Sequence, residues 1–306
     1  MTTSHLRRPR AAALTLAALP VLLLPPVAAG AADTPVDKRI AAEPNGTVAL
    51  SNVAGMLAIE GWDNPEVHVT GTLGAGVERV DVQRDGARVV VKVVLPRGGS
   101  MRAGEADLVV KVPAASKLEV STVSAEVETR RVGGAQRINS VSGNLGLDVA
   151  TAPVEVKTVS GDVTLRGGGG STTVRLSSVS GDVRIDRLGG EFEANTVSGD
   201  LQLALGTLRS LRLRSTSGDL SLRGALERDA SLEAESVSGD LDLRLAAAAG
   251  FDLDAESFSG DIATCYGARG SSSGMGPGNA LRSKRGEGGA RLRIKTMSGD
   301  IQVCDR

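Results

Sequence analysis

Seven aspartates recur in the second half of this chain, each directly after a Ser-Gly pair: Asp162, Asp182, Asp200, Asp219, Asp240, Asp261 and Asp300. Stacked in a column, such carboxylates could bind calcium, a hard cation that gathers several oxygen ligands. Calcium-binding β-rolls do so with a Gly-Gly-x-Gly-x-Asp nonapeptide, and this chain has no such period. The preferred expectation is structural. Each Asp accepts hydrogen bonds from backbone N–H groups at a corner, while the glycine before it takes a positive φ. A calcium column stays as the alternative, and no other cofactor is expected.

The two cysteines, Cys265 and Cys304, each lie five residues after a repeat glycine, Gly260 and Gly299. Equivalent positions in stacked turns of chain lie one strand spacing apart, within disulfide reach, so a Cys265–Cys304 bond is expected. Catalysis has little support. His5 falls in a leader, leaving His68 as the one histidine beyond it, and no nucleophile elbow or phosphate loop is present. Glu233/Glu235 and Asp252/Asp254 could imitate the paired carboxylates of a glycosidase. They alternate on outward faces and are expected to be solvated rows. A sugar groove would recruit aromatic platforms, and Trp62 and Tyr266 are the single Trp and Tyr. No catalytic residue is assigned.

The elements that position these residues follow from the repeat. The corner glycines are Gly143, Gly161, Gly181, Gly199, Gly218, Gly239, Gly260 and Gly299, with degenerate copies at Ser142-Gly143-Asn144 and Ser124-Ala125-Glu126. From Ala125 the central residue advances by 18, 18, 20, 18, 19, 21, 21 and 39 residues. A period near 20 residues means one supersecondary unit stacked on itself. Apolar and polar residues alternate with period two on both sides of each corner, as in Leu211, Leu213 and Leu220, Leu222. The predicted fold is an all-β parallel solenoid with aliphatic ladders inside. One column needs a decision: Val123, Val141, Val159, Val179, Val197, Thr216, Val237, Phe258 and Met297 precede the corner serines. Strict alternation turns them outward as an apolar stripe, a candidate binding surface. The preferred expectation is that the chain bends at the corner and tucks them in.

Arg7, Arg8 and Arg10, the apolar stretch Ala11 to Leu24 and Ala29-Gly30-Ala31 read as an export signal over residues 1–31. Arg7-Arg8 alone carries part of a twin-arginine pattern. Without that leader the net charge moves from −1 to −4, which gives no reason to bind nucleic acid. No transmembrane segment is expected in the mature chain. Residues 32–45 read as a loose polar leader and 46–115 as an N-terminal β-region covering the first coil. Within it Asp85-Gly86 signals a hairpin. The repeat solenoid fills 116–306, with a flexible Gly/Ser-rich insertion at 267–290 and no cover on the last coil.

The Ser-Val-Ser-Gly-Asp repeats, preceded by Met56-Leu-Ala-Ile-Glu-Gly-Trp-Asp63 and a Val-x-Val strand, resemble the bacterial putative-adhesin domain family of unknown function. The resemblance covers residues 46–306. It implies a β-solenoid of the cell envelope, periplasmic or at the cell surface, and offers no catalytic residues to carry over. The expected function is a non-enzymatic interaction or scaffold module with an envelope or cell-surface partner, protein or glycan. A polysaccharide-active β-helix enzyme and a calcium-stabilised envelope module are the alternatives.

Overall fold

A computed structural model describes residues 33–96, 104–247, 250–272 and 278–305, with Met1 alone before them. The expected export signal therefore lies outside the described residues. All regular structure among those described is β, and none of it is a helix able to cross a membrane. The architecture is a parallel β-solenoid. From Val154 on, each rung is two strand segments meeting at a Ser-Gly-Asp corner. Strands Val154–Thr158 and Val163–Gly167, for example, flank Ser160-Gly161-Asp162. Val154 lies in register with Gln136 on one side and Val174 on the other. The core runs up the middle as ladders of side chains that are almost fully buried, among them Val156, Leu176, Leu147, Leu165 and Ile185. Burying each is worth about 1.5–3 kcal/mol.

Chain order and stacking order differ at both ends. Strand Thr47–Trp62 is itself a rung, parallel to Lys117–Arg130 on one side. On its other side lie Arg88–Val94 and Ala106–Pro113, the two halves of a later rung. Outside that rung, Glu66–Leu73 and Arg79–Asp85 run antiparallel to it, and Thr34–Ala41 is antiparallel to Glu66–Leu73. The boundaries expected near residue 46 and residue 116 thus shift. Residues 47–62, 88–94 and 106–113 belong to the stack, and 34–41 form a strand rather than a loose leader. The expected hairpin is present, with Asp85 facing Arg88.

The C-terminal end repeats the manoeuvre. Strand Ala290–Ser298 lies between 231–238 and Gly250–Ser259, parallel to both. Ile301–Cys304 lies likewise between Leu241–Ala246 and Ile262–Thr264. The last rung in sequence is therefore the penultimate rung in space. Asn279–Gly286 runs antiparallel along the outer edge of Gly250–Ser259, and Ser271–Ser272 pairs with it. The expected flexible insertion and bare last coil are corrected on this point: 279–286 is a strand that covers the outermost rung. Residues 273–277 of that insertion lie outside the described residues.

The charge pattern matches this order. One outward column reads, in spatial sequence, Glu119, Arg137, Glu155, Arg175, Glu193, Arg212, Glu233, Arg293, Asp254, Arg282. The sign alternates at every step. Stacking in chain order would lay Asp254 directly over Glu233. A second column, Arg214, Glu235, Lys295, Glu256, would suffer the same fault. At the N-terminal end Glu60 separates Lys111 from Arg130. Opposite charges side by side on neighbouring strands stabilise, and like charges destabilise, so insertion satisfies all three columns at once.

Candidate functional site: the corner ridge

Each corner is built by four residues with separate tasks. The inner Ser or Thr points inward and bonds its own turn. Thr158 Oγ1 donates to the Ser160 carbonyl at 3.0 Å, and Thr196 Oγ1 to that of Ser198 at 3.2 Å. The next residue, the apolar one, points out. The glycine then reverses the chain. Gly181 has a φ of 113°, and a Cβ built on it would sit 2.3 Å from the Gly161 carbonyl oxygen. Both the conformation and the close approach of the neighbouring rung demand glycine.

The aspartates close the corner across rungs. The Asp182 N–H donates to Asp162 Oδ1 at 3.0 Å, Asp200 to Asp182 at 2.9 Å and Asp219 to Asp200 at 3.0 Å. The ladder continues through Asp240 to Asp300 and ends at Asp261, in spatial order. Asn144 accepts from Asp162 in the same way at its head. These carboxylates serve the neighbouring rung rather than their own turn. Among the described residues no group of three or more His, Cys, Asp or Glu is placed to hold a metal ion.

The apolar column stands outside, which corrects the preferred expectation. Val123, Val141, Val159, Val179, Val197 and Val237 are 47–49% exposed, Phe258 58% and Met297 60%. Thr216 takes one place in the row. The reason is visible in the backbone. The ladder does not break at the corner: Val197 N–H bonds the Ser178 carbonyl and Ser198 N–H the Val179 carbonyl. Alternation therefore persists through it, and with Thr196 and Ser178 inside, the residue that follows each must face out. The ridge is one apolar side chain wide, with the Asp row following it three residues on in each repeat.

The other sequence candidates fall elsewhere. Cys265 and Cys304 form a disulfide, Cα atoms 4.8 Å apart, which ties the outermost rung to the inserted one. Glu233 pairs with Arg212 at 2.9 Å, Glu235 with Arg214 at 3.3 Å and Asp254 with Arg282 at 3.3 Å. A groove of about 700 Å³ runs past Glu233, Asp252 and Asp254, but its walls also carry Arg282, Lys284, Arg291 and Arg293, and neither Trp62 nor Tyr266 lines it. Trp62 stacks on His68, ring centres 6.0 Å apart, beneath Lys111. Tyr266 bonds Ser283 at 2.9 Å at the other end of the stack. Along the alternating column, Lys157 and then Arg137 hold the Glu155 carboxyl below the usual carboxylate range through hydrogen bonds.

No curated protein matches the chain. Among solved structures it is similar to a putative adhesin from Parabacteroides distasonis ATCC 8503, at 13% identity over 88% of this chain and 97% of that one, TM-score 0.46. It is similar also to a putative adhesin from Bacteroides fragilis NCTC 9343, at 10% identity over 88% and 97%, TM-score 0.43. A third is a putative lipid binding protein from Parabacteroides distasonis ATCC 8503, at 11% identity over 88% and 96%, TM-score 0.30. The Toastrack DUF4097 family matches residues 63–304, which span every Ser-Gly-Asp corner. The chain belongs to the Toastrack DUF4097 family.

Proposed function

We propose that the protein is a non-enzymatic, exported envelope module that binds a cell-envelope or cell-surface partner through the corner ridge. In this reading each repeat of about 20 residues adds one row to the ridge. The antiparallel layers at the two ends cover the stack, and their charged outer strands keep it from pairing with another sheet. The observation that carries the reading is the stripe itself. An apolar row this long and this exposed is unusual for a soluble surface and marks an interaction site. Nothing in the corner's own stability requires valine there, since the inward Ser/Thr, the glycine and the Asp make the bonds.

The test is site-specific photo-crosslinking in the native host. A diazirine amino acid placed at Val179 or Val197 is expected to trap a discrete partner. The same group at Glu193, on the alternating column, is expected to trap none. Equal labelling from both faces, or none from the ridge, would overturn the proposal.

A further inference from the structure

We infer that the ridge's partner is a protein segment that presents an amphipathic helix with lysines or arginines along one edge of its apolar face. The inference rests on the ridge being the binding surface and deepens that reading. The outward column of alternating sign described above neutralises itself rung by rung. The Asp row beside the ridge does the opposite: it repeats one sign over seven consecutive rungs. Among the described residues none of the seven aspartates forms an ion pair, and all seven are exposed. One carboxylate oxygen of six of them accepts from the neighbouring rung's N–H, and that of Asp261, at the end of the row, from Asn279 Nδ2, which leaves a second oxygen of each for solvent. Like charges one strand spacing apart destabilise the free protein. The apolar row therefore has an acidic border on one side.

Asparagine would make the same hydrogen bond. Asn144 does so at 3.0 Å to the Asp162 N–H, so the corner does not need the negative charge. What the charge adds is complementarity to a basic border on whatever covers the valines. The row pitch selects the shape. Rungs repeat at about 4.8 Å. Apolar residues at heptad a and d positions recur about every 5.2 Å along a helix, whereas side chains on one face of a strand recur at about 6.7 Å. A helix laid along the ridge keeps step over several rows; a strand loses register after two. A second copy of this chain fits less well, because ridges packed antiparallel would bring two acidic rows together.

The test uses the exported chain with its disulfide intact and a labelled helical peptide of about 26 residues, near 39 Å long, with a leucine seam bordered by lysines. A peptide with glutamates in place of the lysines is the control. Fluorescence anisotropy is expected to show binding of the lysine peptide that weakens steeply with salt, and at least about tenfold weaker binding of the glutamate peptide. The D182N/D200N/D219N variant, whose thermal midpoint checks that it folds, should lose about tenfold in affinity and most of the salt dependence. V159S/V179S/V197S should abolish binding of the lysine peptide. If the aspartate variant binds as tightly as the parent while the valine variant fails, the basic border is refuted and the ridge reading survives. If the valine variant binds unchanged, both fail. Binding to phosphatidylglycerol vesicles in preference to the peptide, or ridge-dependent dimerisation in light scattering, would overturn the helical partner in favour of a membrane or a second copy.

Discussion

If charge alternation sets the stacking order, exchanging charges between two rungs should invert it. The perturbation is the variant D254R/E256K/R293D/K295E. In the parent, Arg293 stands between Glu233 and Asp254, and Lys295 between Glu235 and Glu256. Chain-order stacking would turn two opposite-charge neighbours into like ones, Glu233 with Asp254 and Glu235 with Glu256. Each such change swings by about 0.5–2 kcal/mol. These side chains are 27–44% exposed where their pairs are resolved, so the lower half of that range applies. The two columns together then favour insertion by about 2 kcal/mol, roughly a thirtyfold preference at 1.4 kcal/mol per factor of ten. Exchanging the charges reverses the sign of this contribution. The assay is a pair of cysteine reporters. Ser238 lies in register with Ser298, so S238C/S298C cross-links only in the inserted order, and S238C/S259C only in chain order. The native disulfide is compatible with both orders and stays in place. The parent is expected to cross-link 238 to 298 alone, and the exchanged variant to gain the 238–259 bond. An exchanged variant that cross-links as the parent does, with unchanged stability, would refute the electrostatic account of the order.

Other substitutions probe the corner and the staple. Gly181→Ala must hold a positive φ and push its Cβ into the Gly161 carbonyl, so thermal unfolding should report a loss of about 3 kcal/mol or more; a loss below 1 kcal/mol would show the rungs can spread. Asp200→Ala removes the acceptor for the Asp219 N–H and should cost about 1 kcal/mol, whereas Asp200→Asn should be close to neutral. The same two variants costing alike would mean the charge, not the hydrogen bond, holds the corner. The Cys265–Cys304 bond closes a loop of 39 residues, so Cys304→Ser should lower stability by up to about 4 kcal/mol in the chain-entropy account. Intact mass of the unreduced parent must first show that no thiol can be alkylated.

Much of this architecture was legible in the residues. The Ser-Gly-Asp spacing gives the rung, the φ demand gives the glycine, and the equal offset of Cys265 and Cys304 from their repeat glycines gives the disulfide. Two of the departures from the simplest reading of the repeat each had a signal. Val123 and its equivalents face out because Thr122 before them faces in. Period two continues through that residue, and the bend falls after it, at the Ser-Gly pair. The step of 39 residues suggests a loop, yet the insertion of 290–304 is written in the signs of Glu233, Asp254 and Arg293. Strand 279–286 was harder to see, because it buries a single apolar residue, Leu281, between Gly/Ser-rich flanks. Strand 47–62 was only half visible, since its Ala54-Gly55-Met56 corner lacks the aspartate that marks the others.

The ridge is the centre of the account, and side-chain footprinting tests it most directly. Met297 and Phe258 carry the largest exposed apolar surface in the row and are good targets for hydroxyl-radical labelling. The account predicts heavy labelling of both in the isolated protein and marked protection in intact cells of the host, with residues on the alternating charge column labelled equally in the two settings. Weak labelling in the isolated protein would mean the row is tucked in after all. Equal labelling in both settings would mean that nothing in the envelope covers it.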